Sequence, residues 1–501
     1  MKKYRKLSAF LLALTLGASL SACGSTSSSS DTAASKSTTA SSTAKITTEV
    51  TAEATTSENS DKNSDNDRPG DPPDGDRPDA PPDGSGGGPG GGGPGGSSSA
   101  VIDYKGAVEI TSSDSQSGQK YGSSTADESA LLISTSDDVT ITDPTVNKTG
   151  NSDGGDNCNF YGLNAAVLVK EGSNTTITGG TITSDADGAN GVFCYGGNGG
   201  QNGAAGDGTT VTIRDTVIKT TGDGSGGIMT TGGGITYAYD LDVNTSGQSS
   251  AAIRTDRGGG TVYVDGGTYT SNGLGSPAIY STAEIHVENA DLTSNLSEGV
   301  CIEGKNSIEL TNCNMTANNT KCNGNATFFD TIMIYQSTSG DADSGTSSFT
   351  MTGGTLTSKN GHVFHVTNTN AVINLSGVTI INEDSENILL SVCADGWSGA
   401  GNIAALNADS QELSGIIKVG SDSELTLNLT NGSTFKGSID GSITNAKGTS
   451  VSTEVGTVNV KLDSTSKWTL TADTYITSFN GDVSNIITNG YTLYVNGTAL
   501  T

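Results

Sequence analysis

Asp240-Leu-Asp-Val243, Gly266-Gly-Thr-Tyr269, Asn289-Ala-Asp-Leu292 and Asn312-Cys-Asn-Met315 are four versions of one short phrase. Each opens on a turn-prone or small residue and closes on an apolar anchor, usually with Thr or Ser two positions later. Outward from this stretch the phrase recurs as Asp143-Pro-Thr-Val146, Gly179-Gly-Thr-Ile182, Asp215-Thr-Val-Ile218, Gly353-Gly-Thr-Leu356 and Gly377-Val-Thr-Ile380. The anchors are 36, 36, 25, 26, 23, 23, 41 and 24 residues apart. A unit of 23–26 residues, lengthened three times, accounts for that series. Two of the insertions read as Gly/Asp/Asn loops, around Ser152–Asn159 and Gly196–Gly208; the third, less regular, covers roughly 318–345.

Each unit also carries a second apolar step after small residues, as in Gly226-Gly-Ile228, Ala251-Ala-Ile253, Pro277-Ala-Ile279 and Gly299-Val-Cys301. Alternation such as Val211-Thr-Ile213, Val262-Tyr-Val264 and Ile285-His-Val287 has the two-residue period of a strand. Two or three short strands per two dozen residues stack best as a solenoid, each strand bonding to its equivalent about 4.8 Å above and below. The composition agrees: 32% hydrophobic residues and 70 glycines suit a narrow stacked core with many turns, and exclude a helical bundle. The repeat resembles the right-handed parallel β-helix shared by pectin-lyase-like enzymes, phage tailspikes and bacterial adhesins. That resemblance covers about residues 101–405 and implies an all-β solenoid, an architecture that hosts many unrelated sites. Residues 406–501 repeat differently. Leu425-Thr-Leu-Asn-Leu429 followed by Phe435 matches Val458-Asn-Val-Lys-Leu462 followed by Trp468, 33 residues on. Closing coils and a C-terminal β cap are expected there, with Trp468, Tyr475, Phe479, Tyr491 and Tyr494 as cap and core.

Residues 1–22 carry Lys2, Lys3, Arg5 and Lys6 before an apolar run too short to span a bilayer, the pattern of an export signal. It ends Leu20-Ser-Ala-Cys23, which resembles the bacterial lipoprotein box. The resemblance implies cleavage before Cys23, lipidation of that cysteine, and a lipid-anchored protein on the outer side of the cell membrane. Residues 23–100 lack periodicity and hold eight of the ten prolines, with nine glycines among the eleven residues 86–96; they read as a disordered tether.

The chain has a net charge of −29; removing +4 for residues 1–22 and −7 for 23–100 leaves −26 on residues 101–501. Such a surface excludes nucleic acid as a partner. Beyond Cys23 there are six cysteines, and export permits disulfides such as Cys158–Cys194 or Cys313–Cys322. Cys301 and Cys313 instead fit small buried apolar positions. His362 and His365, three apart in a strand, are expected on opposite faces, unsuited to a shared metal. No organic cofactor is implied. Asp153-Gly-Gly-Asp156 and Asp185-Ala-Asp-Gly188 offer oxygen ligands for Ca2+, against a default of solvated acidic loops.

The Gly-His-Gly segment of a polygalacturonate hydrolase is absent, and the one Asp-Asp pair, Asp137-Asp138, reads as an ordinary turn. Arg254-Thr-Asp-Arg257 is the one basic–acidic cluster in a strand-and-turn position, with Tyr280 at the matching place one coil later. Arg254, Asp256, Arg257 and Tyr280 are therefore the candidate ligand site, with the arginines for a sugar carboxylate and the tyrosine as a stacking face; no catalytic residue is assigned. Two functions follow. One is a lipid-anchored surface β-helix for adhesion or glycan binding, its partner a cell-wall or extracellular polysaccharide or a host surface. The other is a polysaccharide lyase acting on acidic glycans such as pectin. A threonine lattice of the ice-binding kind is broken by Arg214, Tyr263, His286 and Glu309.

Overall fold

The computed structural model describes residues 102–198, 205–399 and 401–501. The leader, the tether up to residue 100 and Cys23 lie outside them. Two long sheets carry the described chain, one of 15 strands from Lys105–Ile110 to Ile486–Ile487 and one of 22. Within both, strands of successive coils pair in parallel, so the molecule is a parallel β-helix. Up to the strand Thr379–Asn382 a coil has three strands, one in the first sheet and two in the second, as in Ile279–Ser281, Glu284–Glu288 and Asp291–Ser294. From Asn402–Asp409 a coil has two, one per sheet, as in Ser423–Thr430 and Thr434–Asp440. The change in repeat near residue 405 is this loss of a strand, and both sheets continue across it without a break.

The recurring phrase now has a physical basis. Its first residue turns the chain between the two second-sheet strands in the left-handed region, with φ of 49° at Asp143, 55° at Asn289, 53° at Asn312 and 64° at Gly353. Gly, Asn and Asp adopt that conformation at least cost. The anchors from Val146 to Leu356 are buried in one continuous apolar stack, with Ile380 packed partly against it. The Ser or Thr two positions later also points inward, and in several coils its hydroxyl satisfies a corner carbonyl. Thr245 Oγ1 donates to Ser250 O at 2.5 Å, Ser294 Oγ to Ser297 O at 3.0 Å and Ser358 Oγ to Gly361 O at 3.3 Å. Lys148 occupies this row beside Ser184; its buried Nζ donates to Thr125 O at 2.8 Å and Gly150 O at 2.6 Å.

Several expectations are corrected. The first insertion contains a six-residue helix, Asp156–Tyr161, which buries Cys158 and Phe160. The stretch 318–345 is two loops around a first-sheet strand, Asp330–Tyr335. Cys301 and Cys313 are both buried, as expected, but Cys301 is buried on the other face: Val300 pairs with the inward Ile279, and Cys301 pairs with Tyr280 and points outward, since a one-residue slip exchanges the faces of a strand. All six described cysteines are free, with Cys194 in the apolar stack and Cys158 on the buried side of the helix. At the C-terminal end Trp468 is buried and stacks on Phe435, and Phe479 packs partly against the core. Tyr475 and Tyr491 instead remain on the surface, Tyr475 stacked on Tyr494 in a small sheet of Thr474–Ile476, Leu493–Val495 and Thr498–Ala499.

The outward face of the first sheet is covered over much of its length, up to the strand that carries Lys418. Its central row runs Leu132, Leu168, Phe193, Met229, Arg254, Tyr280, Cys301, Met333, His365, Ser391 and Lys418 in register. The apolar members up to Met229 form a cluster with Ala165, flanked by Tyr104 and Tyr195. Further along, Cys301, Met333 and Tyr335 pack with Trp397, and Phe328 packs with Cys393 and Ile443 of a hairpin whose strands are Ser442–Thr444 and Ser450–Thr453.

Candidate functional site

The four residues singled out in the sequence stand where the two covers of the first sheet meet. Arg254 follows the inward Ile253 and so projects outward, but its side chain is only 13% exposed. Its Nη2 donates to Asp256 Oδ2 at 2.6 Å, while Nη1 donates to Ser249 O at 3.1 Å and to Asn159 Oδ1, within the inserted helix, at 3.3 Å. Burial pushes the Asp256 carboxyl up to about 6, against the pull of Arg254. Arg257 lies 4.2 Å over the Phe160 ring and pairs with Asp341 of the 336–345 loop. Tyr280 sits 5.6 Å from the Arg254 guanidinium, and its hydroxyl donates to Glu303 Oε2 at 2.5 Å. Glu303 also accepts from Tyr335, Ser337 and Ser339. The structure thus brings Arg254, Asp256 and Tyr280 together, and it commits both guanidiniums to carboxylates of the chain itself. A sugar carboxylate would have to displace Asp256 or Asp341.

A second cluster corrects the reading of the histidines. At the corner that opens the strand His362–Thr367, Val363 and Phe364 both enter the core, which breaks the alternation. His362 and His365 consequently face the same side, and both place Nδ1 2.7 Å from Ser391 Oγ. His365 Nε2 lies 3.6 Å from Asp395 Oδ2, with both side chains fully buried, and Asp395 Oδ1 accepts from Thr327. Ser391, His365 and Asp395 follow the connectivity of a hydrolytic triad, but Ser391 is fully buried and wedged between the two rings, under Phe328. An acyl group has no approach to that oxygen, so the cluster is a buried polar network. Among the described residues no three His, Cys, Asp or Glu side chains converge on a metal position. Of the acidic loops, Asp187 accepts from Asn151 Nδ2 and from the Asp223 amide.

The outward face of the second sheet carries a row that the sequence reading used only to argue against a threonine lattice. In register it runs Thr140, Thr176, Thr212, Tyr237, Tyr263, His286, Glu309, Thr350, Asn374, Asn407 and Asn428. Tyr237 and Tyr263 stack with centroids 5.2 Å apart at 9°, and Tyr263 and His286 at 5.0 Å and 10°. Tyr263 is 39% exposed. His286 is held by Glu284 at 2.8 Å and Glu309 at 3.0 Å. One row along, Arg214 lies 3.6 Å over Tyr239. Tyr263 and His286 are legible in the sequence as outward residues but their stacking is not, because an isolated outward Tyr in a strand looks like ordinary β preference; only the coil register aligns Tyr237, Tyr263 and His286.

No protein-family model, curated protein or solved structure matches the chain.

Proposed function

We propose that this is an exported, lipid-anchored β-helix that binds a glycan along the open outer face of its second sheet. The observation that carries the reading is the outward stack of Tyr237, Tyr263 and His286 on that face, with Tyr263 exposed and its neighbours half-buried, while insertions cover much of the outer side of the first sheet. Rings pre-stacked by the coil lose little freedom on binding, and they present aromatic surface and phenolic hydroxyls beside the carboxylates of Glu284 and Glu309. From Tyr237 to Asn428 the row makes seven coil steps, roughly 34 Å, a length suited to an extended polymer. Cys23 and the tether would hold this face away from the membrane; among the described residues no helix is long and apolar enough to cross one.

The lyase alternative has less support, because Arg254 and Arg257 are already paired with Asp256 and Asp341. A glycan panel tests the reading, using the full chain with Cys23→Ser to keep it in solution. Retention of wild-type sequence at the face, with a loss of about tenfold or more in affinity for Tyr263→Ala, is the expected result; about 1.4 kcal/mol of stacking corresponds to that factor. Retention on no polysaccharide at all would overturn it, and release of unsaturated products from polygalacturonate would favour the lyase instead.

A further inference from the structure

We infer that the part of the open face beyond the aromatic stack is a subsite for an uncharged, extended hexose polymer lying along the helix axis, recognised by the side-chain amides of Asn374, Asn407 and Asn428. The inference rests on the glycan-binding reading and adds the ligand class and its hydrogen-bonding row. A trough of about 500 Å3 runs along these coils. One side is the row Thr350, Asn374, Asn407 and Asn428; the rim is the row two residues on, Thr352, Ser376, Asp409 and Thr430.

The amides hold one another in place. Asn428 Nδ2 donates to Asn407 Oδ1 at 2.7 Å, Asn407 Nδ2 to Asn374 Oδ1 at 2.8 Å, and Asn374 Nδ2 to Thr350 Oγ1 at 3.1 Å. Each primary amide has two N–H groups and two oxygen lone pairs, and the ladder consumes one donor from each. Every Asn in the row therefore keeps a donor and acceptor capacity for a hydroxyl, on a side chain whose rotamer is already fixed. Flanking the amides on the other side, Val372 and Ala405 are half-buried and outward, an apolar strip for the C–H face of a sugar.

Spacing and charge select the ligand. Equivalent amides recur at about 4.8 Å, and an extended chain of hexoses advances by a similar step per sugar, so successive residues of the polymer meet the same groups. Asp409 is the one charged residue lining the trough, and the net charge of −29 repels a polyuronate. A neutral polymer fits on both counts.

The test is calorimetric titration of the full chain carrying Cys23→Ser with soluble β-1,4-glucan and β-1,4-mannan oligosaccharides, and in parallel with oligogalacturonate. Binding of a neutral oligosaccharide, weakened about tenfold or more by Asn407→Ala and by Asn374→Ala, is expected. Asn407→Thr, which keeps a polar strand former, serves as the second variant and should weaken binding with an unchanged far-ultraviolet circular dichroism spectrum. Oligogalacturonate bound in preference to the neutral probes would overturn the subsite but leave glycan binding standing. So would neutral binding that is lost in Tyr263→Ala yet unchanged in all three asparagine variants. If neither class binds, the glycan reading falls with it.

Discussion

At the scale of single residues, the buried His362 ring gives the clearest pH signature. Burial, with His365 and Lys418 nearby, lowers its pKa from 6.5 to about 3, so the folded ring is neutral while an unfolded chain would take up a proton below 6.5. The unfolded state binds more protons between those values, so stability is full above pH 6.5 and falls as the pH drops towards 3. A loss of up to about 5 kcal/mol across that window follows from the size of the shift. Asp256, raised to about 6, works the other way, losing stability as the pH rises through that value, so the comparison must be internal. Urea unfolding of wild type and His362→Asn at pH 7, 5 and 4 should show a steeper acid loss in wild type. Parallel curves would assign the acid response to other groups. The same scale shows what the sequence conceals. The left-handed turns at Asp143, Asn289 and Asn312 were legible, because the steric rule acts on the residue itself. The meeting of His362 and His365 at Ser391 was not, because it depends on a corner where Val363 and Phe364 both turn inward.

At the scale of elements, the insertions act as lids on one sheet. Trp397 packs on Tyr335 with centroids 4.8 Å apart and shields the outward Cys301. Of the six described cysteines only Cys322 is partly exposed. Brief treatment with a thiol reagent, followed by peptide mapping, should label Cys322 first and leave Cys301 intact. Trp397→Ala removes the cover, and Cys301 should then be labelled at least several-fold faster while the inward Cys313 stays protected. Equal labelling of Cys301 in both proteins would mean that another segment seals that position. The insertions themselves were visible as departures from a 23–26-residue period. Their destination was not, since a loop's sequence does not say which sheet it folds over. Nor could one coil's Arg254 reveal that Asn159 and Asp341, from distant insertions, would enclose it and its neighbour Arg257.

At the scale of the molecule, the described chain is a one-dimensional stack in which each coil contacts mainly the coils beside it. The overall architecture was therefore readable from local phrases, whereas the aromatic and amide rows needed the register between coils. A stack of this kind divides its stability among neighbouring coils, so a lesion near one end acts differently from one in the middle. Trp468 is the place to test this. It is fully buried in the penultimate coil, stacks 5.6 Å from Phe435, and its Nε1 donates to Gly437 O at 3.1 Å. Trp468→Ala removes a large side chain and its hydrogen bond to that carbonyl, a cost of about 3–5 kcal/mol. The strands Thr457–Leu462 and Lys467–Leu470 lie at the outer end, bonded to few later strands, so this cost should fall on the last coils alone. Hydrogen exchange should show fast exchange from about residue 457 onward, with protection at Ile253–Thr255 and Glu284–Glu288 unchanged. A uniform loss of protection along both sheets would instead mean that the solenoid unfolds as one cooperative unit and that its closing coils hold the rest.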